Sequence, residues 1–327
     1  MKAVWFEQFG AAEVVLEIGD WARPQPGPGE VLVALQTTGV NPSDVKKRAG
    51  AFPNLLDDGP VIPHSDGAGV ITEVGPGVSD GRVGERVFVY QAQYDRQLGT
   101  AAEYVALDSA RAPVLPENTP FEVGACIGIP VLTAHRCVFA DGSVEGQWIL
   151  VTGGAGRVGH YAIQWARHAG ARVIATASNE TDAAACREAG AESVVNHREP
   201  DWGNAVLDVT EGQGIDRAID VEFGANLPEL LKCLRIGATI ATYSSTVVPE
   251  PSLPFRTMMF MDLTIRMVIV YAMPETAKSQ AVADTQKLLA ENRLQHRIAR
   301  TLPFEEMAKA HEIIEKGEVR GCVVVNI

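Results

Sequence analysis

Two short stretches carry residue types that could do chemistry. VIPHSDGAGV, residues 61–70, sets His64 near Asp66 among prolines and glycines; ILVTGGAGRVGHYA, residues 149–162, sets Gly154, Gly156 and Gly159 at G-x-G-x-x-G spacing. A histidine near a carboxylate can bind a metal, provided that further groups converge on it, or be an ordinary loop residue. Each glycine of the second stretch has its own expected task. Gly154 allows a tight turn, Gly156 lets the backbone approach a pyrophosphate, and Gly159 lets a helix pack closely on a strand. The spacing alone is a loose pattern. Here it follows a strand of the buried type, QWILVTG, and opens a helix over 157–169 with Val158, Ala162, Trp165, Ala166 and Ala169 on one face. The N–H groups and positive dipole of that helix start suit phosphates, so the stretch predicts a dinucleotide site.

An NAD site carries Asp or Glu at the end of the second strand, about 20 residues on, for the ribose 2′-hydroxyl. That strand ends ATAS, placing Ser178 where the acid would be. A carboxylate there would repel a 2′-phosphate, and its absence permits NADPH. Arg157, and His197 with Arg198 after the third strand, could supply positive charge; a solvated loop is the alternative for His197 and Arg198. Glu180 and Asp182 nearby count against the phosphate. The reading favours NADPH (NADP) as cofactor.

The surrounding elements fall into two styles. Residues 1–120 read as short strands between Pro/Gly turns, among them EVLVALQTTGV, GAGVITEVGPGV and GERVFVY, which suggests a compact, barrel-like β domain. From about 121 strands and helices alternate. Five strands with four helices between them predict a parallel, doubly wound α/β sheet. The pattern breaks near 275; two helical stretches and a last strand, GCVVVNI, read as a return to the first domain.

At 327 residues there is room for two cores, and the formal charge of -13 argues against nucleic acid or an anionic membrane as partner. The five cysteines are scattered with no CxxC pair, as in a reduced, cytoplasmic protein. No signal-peptide run opens the chain, and MFMDLTIRMVIVYAM is interrupted by Asp262 and Arg266 and too short to span a bilayer. The expectation is a soluble cytoplasmic protein acting on a small molecule.

The segments PGPGEVLV, TTGVNPSDVKKRAG, IPHSDGAGVITEVG, GTAAEYVAL, VLTAHRCV, the glycine stretch, VVNHRE and AHEIIEKGEVRG, in this order, resemble the medium-chain dehydrogenase/reductase superfamily, in its zinc-free quinone oxidoreductase branch related to zeta-crystallin. The resemblance spans nearly the whole chain. It implies a GroES-like catalytic domain from residues 1–120 and 275–327, a Rossmann NADP(H)-binding domain from 121–274, and a nicotinamide held in the cleft between them. It implies cofactor contacts at Ala155, Gly156, Arg157, Val158, Ser178, His197, Asn226, Tyr243, Ser244, Ser245, Met267, Val268 and Ile269, and a threonine near the nicotinamide at Thr133. These positions are also strand C-terminal ends or the turns after them, where doubly wound sheets bind ligands.

Metal-dependent relatives place a histidine in a Gly-His-Glu triplet. Aligned on DGAGV, this chain reads His64-Ser65-Asp66, so Ser65 takes the histidine's slot and His64 the glycine's. The cysteine slot holds Asn41. No metal site is expected, and His64 reads as a loop or cleft-wall residue. The implied chemistry is hydride delivery from NADPH to an already electrophilic acceptor, a quinone or an enone, with the protein supplying orientation. Asn41, Asp44 and Lys46 are the catalytic candidates: Asn41 to hydrogen-bond a nicotinamide or substrate oxygen, Asp44 to orient its neighbours, and Lys46, in place of the family's tyrosine, to pair with a phosphate or donate to a carbonyl. Solvated loop charges are the alternative for all three. Tyr90 and Tyr94 could line an acceptor pocket or simply pack. The β-rich edge segment 263–271 predicts a homodimer, as is common in the family. The competing readings are an enone or enoyl reductase of the same fold and a non-enzymatic NADPH-binding protein.

Overall fold

The computed structural model describes residues 1–327, which divide into two compact units, Met1–Ile129 with Val282–Ile327, and Pro130–Ala281. The first unit opens with a small hairpin-like pair, β1 (Lys2–Trp5) and β2 (Glu17–Asp20), bridged by the one-turn helix α1 (Ala12–Val15). Its main strands are β3 (Glu30–Val40), β4 (Asp66–Val74), β5 (Arg86–Val89) and β6 (Tyr104–Asp108). β3 coincides with the alternating run EVLVALQTTGV, and its length lets it serve three partners. One edge pairs with β4 throughout; its first half also pairs with β6. Val31, Val33 and Leu35 meet Ile71, Val87 and Val105 in one buried cluster.

Between β3 and β4 lies a helix, α2 (Pro42–Arg48), where the sequence reading allowed for a loop. Asn41 caps it: its side chain accepts from the Asp44 N–H and its own N–H donates to Asp44 Oδ2 at 2.8 Å, a reciprocal capping box followed by a proline at the first turn. The N-P-S-D order is the local signal for that start. After α3 (Phe121–Gly124), the helix α4 (Ile129–Phe139) carries the chain into the second unit.

The second unit is a six-stranded sheet, wholly parallel, built from β7 (Trp148–Val151), β8 (Arg172–Ala177), β9 (Ser193–Asn196), β10 (Ile215–Asp220), β11 (Leu234–Thr242) and β12 (Thr264–Met267). The intervening helices are α5 (Arg157–His168), α6 (Glu180–Glu188), α7 (Trp202–Val209), α8 (Phe223–Cys233) and the short α9 (Phe255–Phe260). The strand order β9-β8-β7-β10-β11-β12 reverses direction between β7 and β10, which is the switch point of a doubly wound sheet. Every residue of β7 is buried, as a strand covered on both faces requires. α5 is buried on more sides than its apolar stripe predicts, taking Tyr161, Ile163 and Gln164 in with Ala162, Trp165 and Ala166. The edge segment expected over 263–271 is shorter as a strand: β12 stops at Met267, and a 3-10 turn follows at Val270–Ala272.

α10 (Glu275–Ala290) leads back to the first unit, where β13 (Ile298–Leu302), α11 (Met307–Glu315) and β14 (Cys322–Asn326) complete it. β14 pairs with the second half of β3, so the C-terminal segment joins β3, β4 and β5 in one sheet of order β13-β14-β3-β4-β5. β13 was not foreseen. All five cysteines are buried free thiols.

Candidate functional site

The turn after β7 assigns the glycine tasks differently from the expected order. Gly153, not Gly154, carries the left-handed residue, at φ 60°. Gly154 is a packing position, since a Cβ there would lie 2.8 Å from Cys186 Sγ and 2.9 Å from the Ala175 methyl. Gly159 is tighter still, 2.5 Å from the Gly153 carbonyl oxygen. Gly156 is the N-cap of α5, and the first intrahelical bond runs from His160 N to Gly156 O. The first-turn N–H groups of Arg157, Val158 and Gly159 therefore have no intrahelical acceptor. Ala155 is buried within the turn. A tight turn in which Gly154 and Gly159 leave no room for a Cβ, opening a helix start, fits a pyrophosphate.

Ser178 follows β8, half-buried. The two acids that counted against a 2′-phosphate are committed elsewhere. Glu180 Oε1 accepts from Arg187 at 2.7 Å, which holds its carboxyl below the usual range, and Asp182 Oδ2 accepts from the Asn179 amide at 2.8 Å. His197 and Arg198 are exposed, and the His197 N–H donates to Ala177 O at 3.3 Å, which brings it beside the end of β8.

The remaining strand ends differ in how much of each side chain is left over. Ser245 Oγ accepts from Gly224 N at 2.9 Å and donates to the Val248 carbonyl, so its hydroxyl is taken. Ser244 Oγ lies 3.2 Å from Thr246 Oγ1, and Tyr243 N donates to Asp220 O at 3.2 Å. Met267 and Ile269 are exposed, whereas Val268 is buried with its N–H on Thr242 O at 2.7 Å. Thr133 is buried on α4. Asn226 Nδ2 donates to Asp220 Oδ1 at 2.8 Å. Asp220 itself, fully buried at the end of β10, was missed by the sequence reading.

The first unit holds a buried polar cluster around the residues singled out near His64. His64 is fully buried, not a wall of an open cleft, and sits at φ 78°. That left-handed backbone favours glycine, the residue whose slot His64 takes. Its Nε2 lies 2.8 Å from His311 Nε2 and its Nδ1 2.9 Å from Thr38 Oγ1; Thr38 Oγ1 lies 2.7 Å from Thr100 Oγ1, which donates to Asp66 O at 2.6 Å. Thr38 Oγ1 also lies 3.2 Å from Asp66 O, so one threonine donates to that carbonyl and the pair shares the other hydroxyl hydrogen. With the threonine hydrogens so used, His64 Nδ1–H donates to Thr38 and His311 Nε2–H to His64 Nε2. His311 Nδ1, which has no partner, is then a bare lone pair rather than a buried N–H. Burial pushes His64 down to about 3, aided by Lys47, and pushes His311 well below its ordinary value, aided by His64 and Arg48.

Asn41 and Asp44 belong to the same cluster. Asp66 Oδ2 accepts from Asn41 Nδ2 and from Ile129 N, each at 2.8 Å, while Asp66 Oδ1 is buried without a partner. Burial raises Asp66 to about 8 and Asp44 to about 6. The three basic residues of α2 part company. Lys46 is exposed. Lys47 is buried, donating to Gln93 Oε1 at 2.8 Å and to the Gln93 carbonyl; Arg48 is buried, donating to Glu315 at 2.7 Å and to the Gly10 carbonyl. Tyr90 packs in the core with its hydroxyl on Ala110 O at 3.2 Å, and Tyr94 is exposed.

With this geometry in place, the comparisons with known proteins are unambiguous. Residues 27–117 match the alcohol dehydrogenase GroES-like domain, and residues 158–287 match the zinc-binding dehydrogenase domain. The human quinone oxidoreductase is 33% identical over 322 residues, 97% of this chain and 94% of that protein. The chain belongs to the medium-chain dehydrogenase/reductase superfamily, in its quinone oxidoreductase branch. A second member, the 2-haloacrylate reductase of a Burkholderia species, is 28% identical over 92% of this chain and 91% of its own. A mycobacterial protein solved in complex with NADPH superposes with a TM-score of 0.88 at 27% identity, covering 100% of both chains.

The superfamily includes zinc enzymes, and the residues here do not fit that metal. No three His, Cys, Asp or Glu side chains converge. A zinc ion held by two histidines sits about 2.0–2.1 Å from each nitrogen in tetrahedral geometry, which keeps those nitrogens more than about 3 Å apart. His64 and His311 are closer than that and face each other directly.

Proposed function

We propose that this protein is an NADPH-dependent oxidoreductase that delivers hydride to a quinone-type acceptor, with no step routed through a metal. The observation that carries the cofactor assignment is the pairing of the glycine turn at Gly153–Gly159 with a hydroxyl, Ser178, at the position where a carboxylate would select NAD. The committed state of Glu180 and Asp182 supports it, as does the likeness to a protein solved with NADPH. NADPH, when bound, supplies the hydride. The second unit binds it: first-turn N–H groups of α5 take the pyrophosphate, with Ser178, His197 and Arg198 facing the 2′-phosphate.

In the first unit, the Asn41 amide donates to Asp66, and we assign Asn41 the hydrogen bond to an acceptor oxygen. Asp44 holds Asn41 through the capping box. Lys46 is the exposed ammonium of α2, free of the core role that Lys47 fills. Exposed Phe255, Met259, Phe260, Met267 and Ile269 lie on α9 and along the sheet edge at β12, and we assign this apolar edge to a homodimer, to be tested by sedimentation at varied concentration.

A second reading, an enone reductase, draws on the likeness to the 2-haloacrylate reductase. The two are separated by kcat/KM with NADPH for benzoquinone against an activated enone of similar size. A higher value for the quinone supports the first reading; a tenfold or greater preference for the enone replaces it with the second.

A further inference from the structure

Asp220 stands at the C-terminal end of β10, beside the end of β7, at the point where the chain leaves the sheet in opposite directions. Its carboxylate is buried and has three donors. Oδ1 receives Thr152 Oγ1 at 2.7 Å and Asn226 Nδ2 at 2.8 Å, and Oδ2 receives Glu222 N at 3.1 Å. Thr152 Oγ1 in turn accepts from Val221 N at 3.0 Å, which leaves its hydroxyl hydrogen for Asp220. An ionised carboxylate can only accept, so the amide of Asn226 has one allowed orientation: nitrogen toward Asp220, carbonyl oxygen away from it. That oxygen has no partner within the protein, and Asn226 is half-buried on the first turn of α8.

We infer that Asp220 is a positioning residue for the dinucleotide: it locks Asn226 with its carbonyl oxygen outward, so that the group met there must be a hydrogen-bond donor. The inference rests on the proposed contact between Asn226 and NADPH. NADPH presents three kinds of donor, the ribose hydroxyls, the carboxamide N–H₂ and the adenine N–H₂, and its phosphates present none at neutral pH. Asn226 thus reads a hydroxyl or an N–H hydrogen rather than a phosphate. Thr152 extends the lock to the start of the glycine turn, so one buried carboxylate sets both the turn's first residue and the amide.

The test is a double-mutant cycle on the dissociation constant of NADPH, read by fluorescence titration alongside thermal unfolding. Asn226→Ala is expected to weaken binding about tenfold, the loss of one hydrogen bond. Asp220→Asn, which frees the amide to turn over, is expected to weaken it by several-fold in the wild-type background and by nothing further in the Asn226→Ala background. If the two losses multiply in the double variant, Asp220 acts through general structure and the inference falls while the Asn226 contact stands. If Asn226→Ala leaves binding unchanged, the contact itself is wrong and the inference falls with it. Should Asp220→Asn fail to fold, Asn226→Asp leaves β10 intact and sets a second carboxylate against Asp220. NADPH affinity should then fall more steeply with rising pH than in the wild type, and a loss independent of pH overturns the inference. Repeating the cycle with 2′-phospho-ADP-ribose, which keeps the riboses and the adenine but lacks the carboxamide, divides the donors. Coupling that persists assigns a ribose hydroxyl or the adenine amino group, and coupling that disappears assigns the carboxamide.

Discussion

The Nε2 atoms of His64 and His311 lie 2.8 Å apart although 247 residues separate them in the chain, and a single proton serves both. Burial lowers both folded-state pKa values, His64 to about 3. Below about 6.5 the unfolded chain takes up protons that the native pair refuses, so stability is present above that pH and is lost as pH falls toward about 3. His64 contributes a slope of about 1.4 kcal/mol per pH unit within that window, and His311 adds to it in the same direction. Denaturant unfolding from pH 7 down to pH 4 checks this: His311→Phe is expected to have a shallower acid loss than the wild type, and equal slopes would refute the account of the pair.

Asp66 works in the opposite direction. Its folded pKa is raised to about 8, chiefly by burial, with Asp44 adding to it and the Ile129 N–H, the Asn41 amide and Lys47 opposing. A carboxyl raised on folding lends stability that is complete below its unfolded value near 3.9 and is lost as pH rises through the folded value. Between pH 6.5 and pH 8 the unfolding midpoint should therefore fall with rising pH. Asp66→Asn should flatten that decline, and an unchanged decline would show that another group causes it.

Lys46 and Lys47 are neighbours in sequence with different fates. Lys46→Ala removes an exposed side chain and should change stability by less than about 0.5 kcal/mol, so any fall in turnover reads its role in the reaction. Lys47→Ala strips the donor from two Gln93 oxygens inside the fold and should cost about 2 kcal/mol or more. Equal stability of the two variants would contradict the burial assigned to Lys47.

How much of this was legible in the sequence follows from how local each cause is. The bounds of β3 and the alternation of β7 to β11 with helices are written in periodicity, and the glycine turn is written in spacing. The start of α2 was legible too, in Asn41-Pro42-Ser43-Asp44, but Asn41, Asp44 and Lys46 were weighed only as chemistry or as solvated loop charges. Nothing near Arg48 announces Glu315, 267 residues away, and nothing near His64 announces His311. Gly153 and Gly154 are adjacent, so spacing alone could not say which takes the turn and which packs on Cys186 and Ala175. β13 was lost because IARTL alternates too weakly to stand out, its place being set by pairing with β14.

Gly159→Ala would put a methyl 2.5 Å from the Gly153 carbonyl oxygen, a backbone atom with no side-chain freedom to withdraw. The variant should lose about 1–3 kcal/mol of stability and bind NADPH at least tenfold more weakly, by thermal unfolding and fluorescence titration. Wild-type affinity in a folded Gly159→Ala protein would rule out the turn as the phosphate site.

Ser178→Asp tests the cofactor choice. A carboxylate at the end of β8 repels a 2′-phosphate and accepts a 2′-hydroxyl, so the ratio of NADPH to NADH affinity should fall by about tenfold or more, roughly 1.4 kcal/mol. An unchanged ratio would move the 2′-phosphate site away from Ser178.

The most direct measurement is NADPH consumption with benzoquinone by the chelator-treated protein, with quinol formation followed in the same sample. The account predicts turnover that persists under chelation, with one quinol formed for each NADPH oxidised. Tight NADPH binding with no consumption, or turnover that returns only when zinc is added, would contradict it.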